Sequence, residues 1–152
     1  MKNKNLMVLY GALTEMNYAG VKFGYFVAKN ISIVGKEIDI IQKSIETSKE
    51  YNEFDSKRIE LLEKYAKKDE AGKSIIKNRD YVLADQAKFN QEFNPLKKEY
   101  QAVLEARTKQ EKEYEKLLEE ESTVELYKVK EENLPQDIKT QDMRAIFDLI
   151  EE

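Results

Sequence analysis

The chain has 152 residues, a length that fits one domain or one extended unit. Charged residues make up 37% of it, with 26 basic and 30 acidic for a net charge of −4, and it contains no His, Cys or Trp. Those absences remove a disulfide framework, a thiolate nucleophile, an ordinary zinc site and any imidazole base, and with them the Ser-His-Asp and Cys-His machineries.

The charge is unevenly spread. Residues 1–36 carry five lysines against Glu15, residues 37–110 carry 15 of each sign, and residues 111–152 carry 6 basic and 14 acidic. A basic head and an acidic tail favour head-to-tail self-association or a bipolar binding surface, against the plainer alternative of two solvated faces. A chain acidic overall is a poor non-specific nucleic-acid binder. The longest apolar stretch, Val21 to Val34, is interrupted by Lys22, Lys29 and Asn30 and is too short to span a membrane. The apolar run Leu6 to Leu13 is split by Gly11, and no small-residue cleavage site follows. The expected location is cytoplasmic.

In chain order, residues 4–17 form a short amphipathic helix with Leu6, Leu9, Tyr10, Leu13 and Met16 on one side. Tyr18-Ala19-Gly20 breaks it. A long helix is predicted over 21–67, with Val27, Ile31, Val34, Ile38, Ile41 and Ile45 as a heptad seam. The seam turns polar at Ser48, Asn52 and Asp55, where the buried face drifts. Ser74 to Leu83 reads as a β-hairpin around Asn78-Arg79-Asp80, although its turn has no glycine. A second long helix is predicted over 85–121, with the regular seam Phe89, Phe93, Leu96, Tyr100, Val103, Arg107, Gln110, Tyr114 and Leu117. Asn94-Pro95 should kink it or restart it with Asn94 as N-cap. A short strand follows over 124–129, then a loop at Asn133-Leu134-Pro135. A closing helix over 140–150 starts with Thr140 as N-cap.

The predicted fold is mainly α with minor β, in a single domain: a long antiparallel helical hairpin tipped by the β-hairpin. A short N-terminal helix and a C-terminal strand plus helix cap the other end. Unbroken, the first long helix would reach roughly 70 Å. Such a rod buries little core, so the short helices or a second copy should cover it, which allows a homodimer through the rod. Folding the rod at the tip brings Glu46 and Glu50 within reach of Arg107. There Arg107 either sets register as a buried ion pair or snorkels to solvent.

Few motifs point to chemistry. Gly72-Lys73-Ser74 copies the end of a phosphate loop, but Lys67 stands where the first glycine belongs. Carboxylates such as Glu111 and Glu115 alternate with lysines in the pattern of a solvated helix face. No loop has EF-hand spacing, and no metal or cofactor is expected. Tyr10, Tyr18, Phe23, Tyr25 and Phe26 cluster beside Lys22 and Lys29. They either fill the joint between the first helix and the rod, the reading favoured here, or form a recognition patch for an acidic partner or stacked bases. The strand over 124–129 needs an edge to pair with: another local segment, a second copy's hairpin or a partner's sheet.

Several short stretches carry a resemblance. These are Val27-Ala28-Lys29-Asn30, the run from Leu62 to Lys73, Asp80-Tyr81-Val82, Phe89-Asn90 and Phe93-Asn94. Val124-Glu125-Leu126, Leu134-Pro135, Asp142 and the final Ile150-Glu151-Glu152 complete them. Together they make the chain resemble an uncharacterised family of small proteins encoded by tailed phages and prophages. The stretch Pro95 to Glu121 is longer than the family pattern. The resemblance implies phage origin and a small helical-hairpin protein, and carries no activity or catalytic residue with it.

The expectation is therefore a non-enzymatic phage protein acting by protein–protein contact, an inhibitor or modulator of a host defence protein. The alternatives are a virion or tail assembly factor, which would place it in the virion, and a small-ligand or nucleotide binder using the basic aromatic head. The expected contact residues are Ile75, Ile76, Lys77, Asn78, Arg79 and Tyr81 on the hairpin, and Val124, Leu126 and Tyr127 on the strand. Glu119, Glu120 and Glu121 would compete with nucleic acid for a basic groove on the target.

Overall fold

The computed structural model describes residues 1–151. The protein is mainly helical, with six α-helices and two small two-stranded sheets among the described residues. None of those helices is long and apolar enough to cross a membrane. The chain divides into two compact units. One is Met1–Glu46 with the stretch from Glu113 onward, and the other is Thr47–Lys112.

The first unit starts with α1 (Asn3–Glu15) and α2 (Val21–Lys43). Leu6, Leu9 and Leu13 recur at helical spacing and are buried. Gly20, at φ 121°, makes the turn into α2 in a conformation other residues avoid. Val27, Val34 and Ile41 are the buried positions of the predicted seam, with Ile31 and Ile38 half-buried beside them. The seam does not face one long partner helix. It shares its core with α1 and with Val129, Ile146 and Leu149 from the C-terminal segments. Gly35 lets Tyr10 lie flat on α2, since a Cβ there would sit 3.2 Å from the ring.

The predicted helix over 21–67 is two helices, α2 and α3 (Lys49–Tyr65). The interruption falls where the apolar seam turns polar. Ser44 Oγ donates to the Ile41 carbonyl at 2.6 Å, and Ser48 Oγ accepts from the Tyr51 amide at 3.1 Å, capping α3. Short hydroxyl side chains compete for backbone groups, and this cluster ends one helix and starts the next.

The second unit holds α3, α4 (Gln86–Glu99) and α5 (Gln101–Glu119) as far as Lys112. Asp85 caps α4, accepting from the Lys88 amide at 3.0 Å. Tyr65 meets Phe89 at 6.5 Å and Phe54 meets Tyr100 at 5.6 Å, so α3 and α4 run antiparallel. The expected break at Asn94-Pro95 does not occur, and α4 passes through Pro95. The break comes at Tyr100, with φ −98° and ψ 17°. That residue is tied to α3: its hydroxyl donates to Glu53 at 2.7 Å and accepts from Lys57 at 2.8 Å.

Between α3 and α4, β1 (Ile76–Lys77) and β2 (Asp80–Tyr81) form the expected antiparallel hairpin. Asn78 and Arg79 both have positive φ, 51° and 69°, the signature of a two-residue type I′ turn. The hairpin is anchored at its base by the segment just after α3. The Lys67 amide donates to the Val82 carbonyl, the Val82 amide to Ile75, and the Ile75 amide to Lys67, at 2.7, 3.0 and 2.8 Å. These three bonds close a ring at the base of the hairpin, where that segment joins the residues flanking β1 and β2.

The predicted strand over 124–129 is extended chain for most of its length. The ladder begins only at β3 (Val129–Lys130), which pairs in parallel with β4 (Ile150–Glu151). The closing helix is likewise shorter than 140–150: α6 (Thr140–Ala145) gives way to a 3-10 turn at Phe147–Leu149. Lys139, not Thr140, is its N-cap residue. Here the Tyr18 hydroxyl accepts from the Lys139 amide and donates to Asp142, so the turn after α1 takes over the cap's work.

Candidate functional site

The most developed surface feature of the first unit is built on one buried polar residue. Asn30 lies on α2 between Val27 and Val34 and is fully buried. Its Nδ2 donates to the Tyr127 carbonyl and its Oδ1 accepts from the Tyr127 amide, both at 2.8 Å. The side-chain amide thus pairs with the backbone as a neighbouring strand would. This satisfies the segment's backbone at Tyr127, the job expected of a strand partner, and leaves the Tyr127 side chain outward.

Tyr127 then stands edge-on to Tyr25, rings 5.5 Å apart at 84°. Both are exposed, at 45% and 56%, and Val21 next to them is 91% exposed. Beneath them Phe26 is fully buried. The tyrosines border a cleft of about 480 Å³, with Lys22, Lys128 and Lys130 around it and Glu132 and Glu151 at its edge. Rigid rings on a fixed backbone, with apolar surface exposed and amines nearby, match the composition of a protein-docking hot spot.

The other expected contact residues have varied positions. Val124 and Leu126 are half-buried, and Leu126 packs on the core of the first unit. Ile75 gives its amide to Lys67, and the Tyr81 hydroxyl donates to Glu63 at 3.3 Å. Ile76, Lys77, Asn78 and Arg79 are exposed at the turn.

The acidic run is largely engaged by the chain's own start. Lys2 and Lys4 both reach Glu119, at 2.8 and 2.6 Å, and Glu121 takes the Met1 amine at 2.7 Å. The Asn3 amide donates to the Glu120 carbonyl and the Ser122 amide to Met1. The two lysines hold the Glu119 carboxyl down to about 2 from the ordinary 4.5. Glu120 alone of the three keeps its carboxylate clear of these pairs.

The aromatic head divides. Tyr18, Phe23 and Phe26 fill the joint between α1 and α2, with Tyr18 edge-on to Phe23 at 5.9 Å. Tyr25 belongs to the surface. Arg107 is not extended into solvent: its side chain is 18% exposed, bonds Glu111 and Gln110 at 2.9 Å each, and lies over the Tyr51 ring.

In the second unit Lys57 lies between Tyr100 and Glu53, and Lys64 bonds Glu92 at 2.6 Å. The Tyr100 hydroxyl and the Glu53 carboxylate hold Lys57 protonated above the ordinary lysine range. The same contacts lower Glu53. These networks tie α3 to Tyr100 and α4 and line no enclosed site. No group of three or more acidic residues is placed to hold a metal ion among the described residues.

Sequence reasoning passed over the pairing of Tyr25 with Tyr127. A signal was present: Asn30 sits on the buried face of an apolar stripe, and a buried amide needs partners. What it bonds, 97 residues away, is set by the fold. No family model, no curated protein and no solved structure matches the chain.

Proposed function

We propose that this is a non-enzymatic protein of phage origin that acts by protein–protein contact, binding and modulating a host protein. Phage origin draws on the short stretches that resemble the tailed-phage family. The docking reading draws on one observation: Tyr25 and Tyr127 are exposed, stacked edge-on and flanked by Lys22, Lys128 and Lys130, on a backbone fixed by buried Asn30. The partner would set an apolar side chain between the rings and carboxylates against the lysines.

This revises the expected contact set. Tyr127 stays in it, Tyr25 joins it, and Glu119 and Glu121 leave it because they hold α1. At the hairpin the ring of Lys67, Ile75 and Val82 occupies the backbone at its base, which confines any strand addition there to Ile76–Tyr81.

The test is affinity capture from host lysate and phage-infected lysate, followed by titration of the purified prey. Tyr127→Ala should weaken that complex at least about tenfold, a loss of about 1.4 kcal/mol. Asp at Lys128 and Lys130 should slow association and reverse its salt dependence. Equal affinity for wild type and the Tyr25→Ala/Tyr127→Ala double variant would sink the docking reading.

A further inference from the structure

The two units differ in charge. The first has 11 basic and 17 acidic residues, and the second has 15 and 13. Two surfaces concentrate that difference. In the second unit an open groove of about 610 Å³ runs past the break at Tyr100, with Leu104 in its lining and four lysines, Lys97, Lys98, Lys109 and Lys112, along it against one carboxylate, Glu105. Lys98 and Lys112 have no carboxylate within ion-pair distance among the described residues, and Lys97 lies over the Phe93 ring. In the first unit Phe147 is 69% exposed beside a cleft of about 310 Å³ that Leu134 and Met143 also line. Its rim is acidic: Glu131 and Glu151 border the cleft, and exposed Asp148 follows Phe147. None of these three carboxylates has an ion-pair partner among the described residues.

We propose that the Phe147 patch of one copy docks in the lysine groove of a second copy. The Phe147 ring would lie on Leu104 and the lysine stems, with Asp148, Glu131 and Glu151 facing the ammonium groups. Charge complementarity selects this occupant. The basic segment expected to serve such contacts is occupied, since Lys2 and Lys4 are bound to Glu119. Patch and groove are different surfaces, so each copy offers one of each, and the contact joins copies as a reciprocal pair, a ring or a filament. The Phe147 patch and the Tyr25–Tyr127 cleft share Glu151 at their edges, but Phe147, Lys98 and Lys112 line no part of that cleft, so their variants test this contact separately.

The test is sedimentation of the full chain over a range of concentrations, at about 0.05 M and about 1 M salt, the latter shrinking the screening length to about 3 Å. Wild type should exceed monomer mass at low salt and fall toward monomer at high salt. Phe147→Ser and the double variant Lys98→Gln/Lys112→Gln should each stay monomeric with unchanged circular dichroism; all three positions are exposed. Mixed together, the two variants keep one intact patch and one intact groove, so they should form a 1:1 dimer that grows no further. Wild type monomeric at every concentration in low salt would overturn the proposal. So would a Phe147→Ser variant that associates like wild type, or a mixture that stays monomeric.

Discussion

The two units handle their aromatic residues in opposite ways. In the first, Phe23 and Phe26 are almost completely buried under α1, and one buried amide, Asn30, organises the surface above them. In the second, Phe54, Leu96 and Tyr100 are the buried centre of a thin seam, and tyrosine hydroxyls reach out to Glu53, Lys57 and Glu92. The cause is the number of layers. The first unit packs two helices and several C-terminal segments around one core. The second lays α4 and the start of α5, in line after it, along α3, and a single such layer cannot surround a side chain. A layer short of apolar cover is held by polar pairs at its edges, and these are individually weak because they are exposed.

The largest effect should therefore come from emptying the first core. Phe26→Ala should cost about 3–5 kcal/mol, as cavities at fully buried aromatic positions do. Phe54→Ala should cost less, nearer about 2–3 kcal/mol, because the thinner seam can collapse into the gap. Urea titrations of the two variants make the comparison. A loss at Phe54 equal to or above that at Phe26 would break the contrast between the units.

Next in size is the buried amide. Asn30→Ala strands the Tyr127 amide and carbonyl and should cost about 1–3 kcal/mol. It should also release the Tyr127 ring from Tyr25, seen as a change in tyrosine near-ultraviolet circular dichroism. Lys57→Met removes the corresponding polar contact of the second unit, made by an exposed ammonium group to the Tyr100 hydroxyl, and should cost less than Asn30→Ala. Comparable losses would mean that water access does not separate the two networks.

The local periodicity carried much of the helical content. The α1 stripe, the buried face of α2 and the apolar positions of α4 all follow from spacing. What was not legible came from competition between local and tertiary terms. Pro95 reads as the breaker of its helix, yet the fold tolerates it and bends at Tyr100, where Glu53 and Lys57 hold the hydroxyl. Residues 124–128 have strand composition, yet Asn30 supplies the pairing that a strand would have given. The acidic run reads as a free surface because sequence cannot show that Lys2 and Lys4 return to Glu119. Of the candidate site, Tyr127 was legible from the strand pattern, and its pairing with Tyr25 was not.

Smaller still is the effect at the hairpin turn. Arg79 has φ 69°, where glycine is unstrained and a side chain is not. Arg79→Gly should raise stability by about 1 kcal/mol, visible as a higher urea midpoint with unchanged slope. No change, or a loss, would mean that the Arg79 side chain itself supports the tip.

The smallest effect sharpens the comparison through pH. Glu119 is exposed, and its carboxyl is held at about 2 by Lys2 and Lys4. A carboxyl lowered in the folded state stabilises the fold above its unfolded value, near 4.5, and that contribution fades as pH falls through about 2. Wild type should therefore outlast Glu119→Gln in thermal unfolding at neutral pH, and the two curves should converge between pH 4.5 and 2. In the second unit Glu92 is lowered by Lys64 and Tyr65, so Glu92→Gln should converge with wild type over the acid range in the same way. The two variants differ in what they release: Glu119→Gln should loosen α1 and speed amide exchange at Asn3, whose amide bonds the Glu120 carbonyl. Glu92→Gln should leave Asn3 exchange alone. If both variants sped it equally, the link from Lys2 and Lys4 to Glu119 would not be what fixes α1.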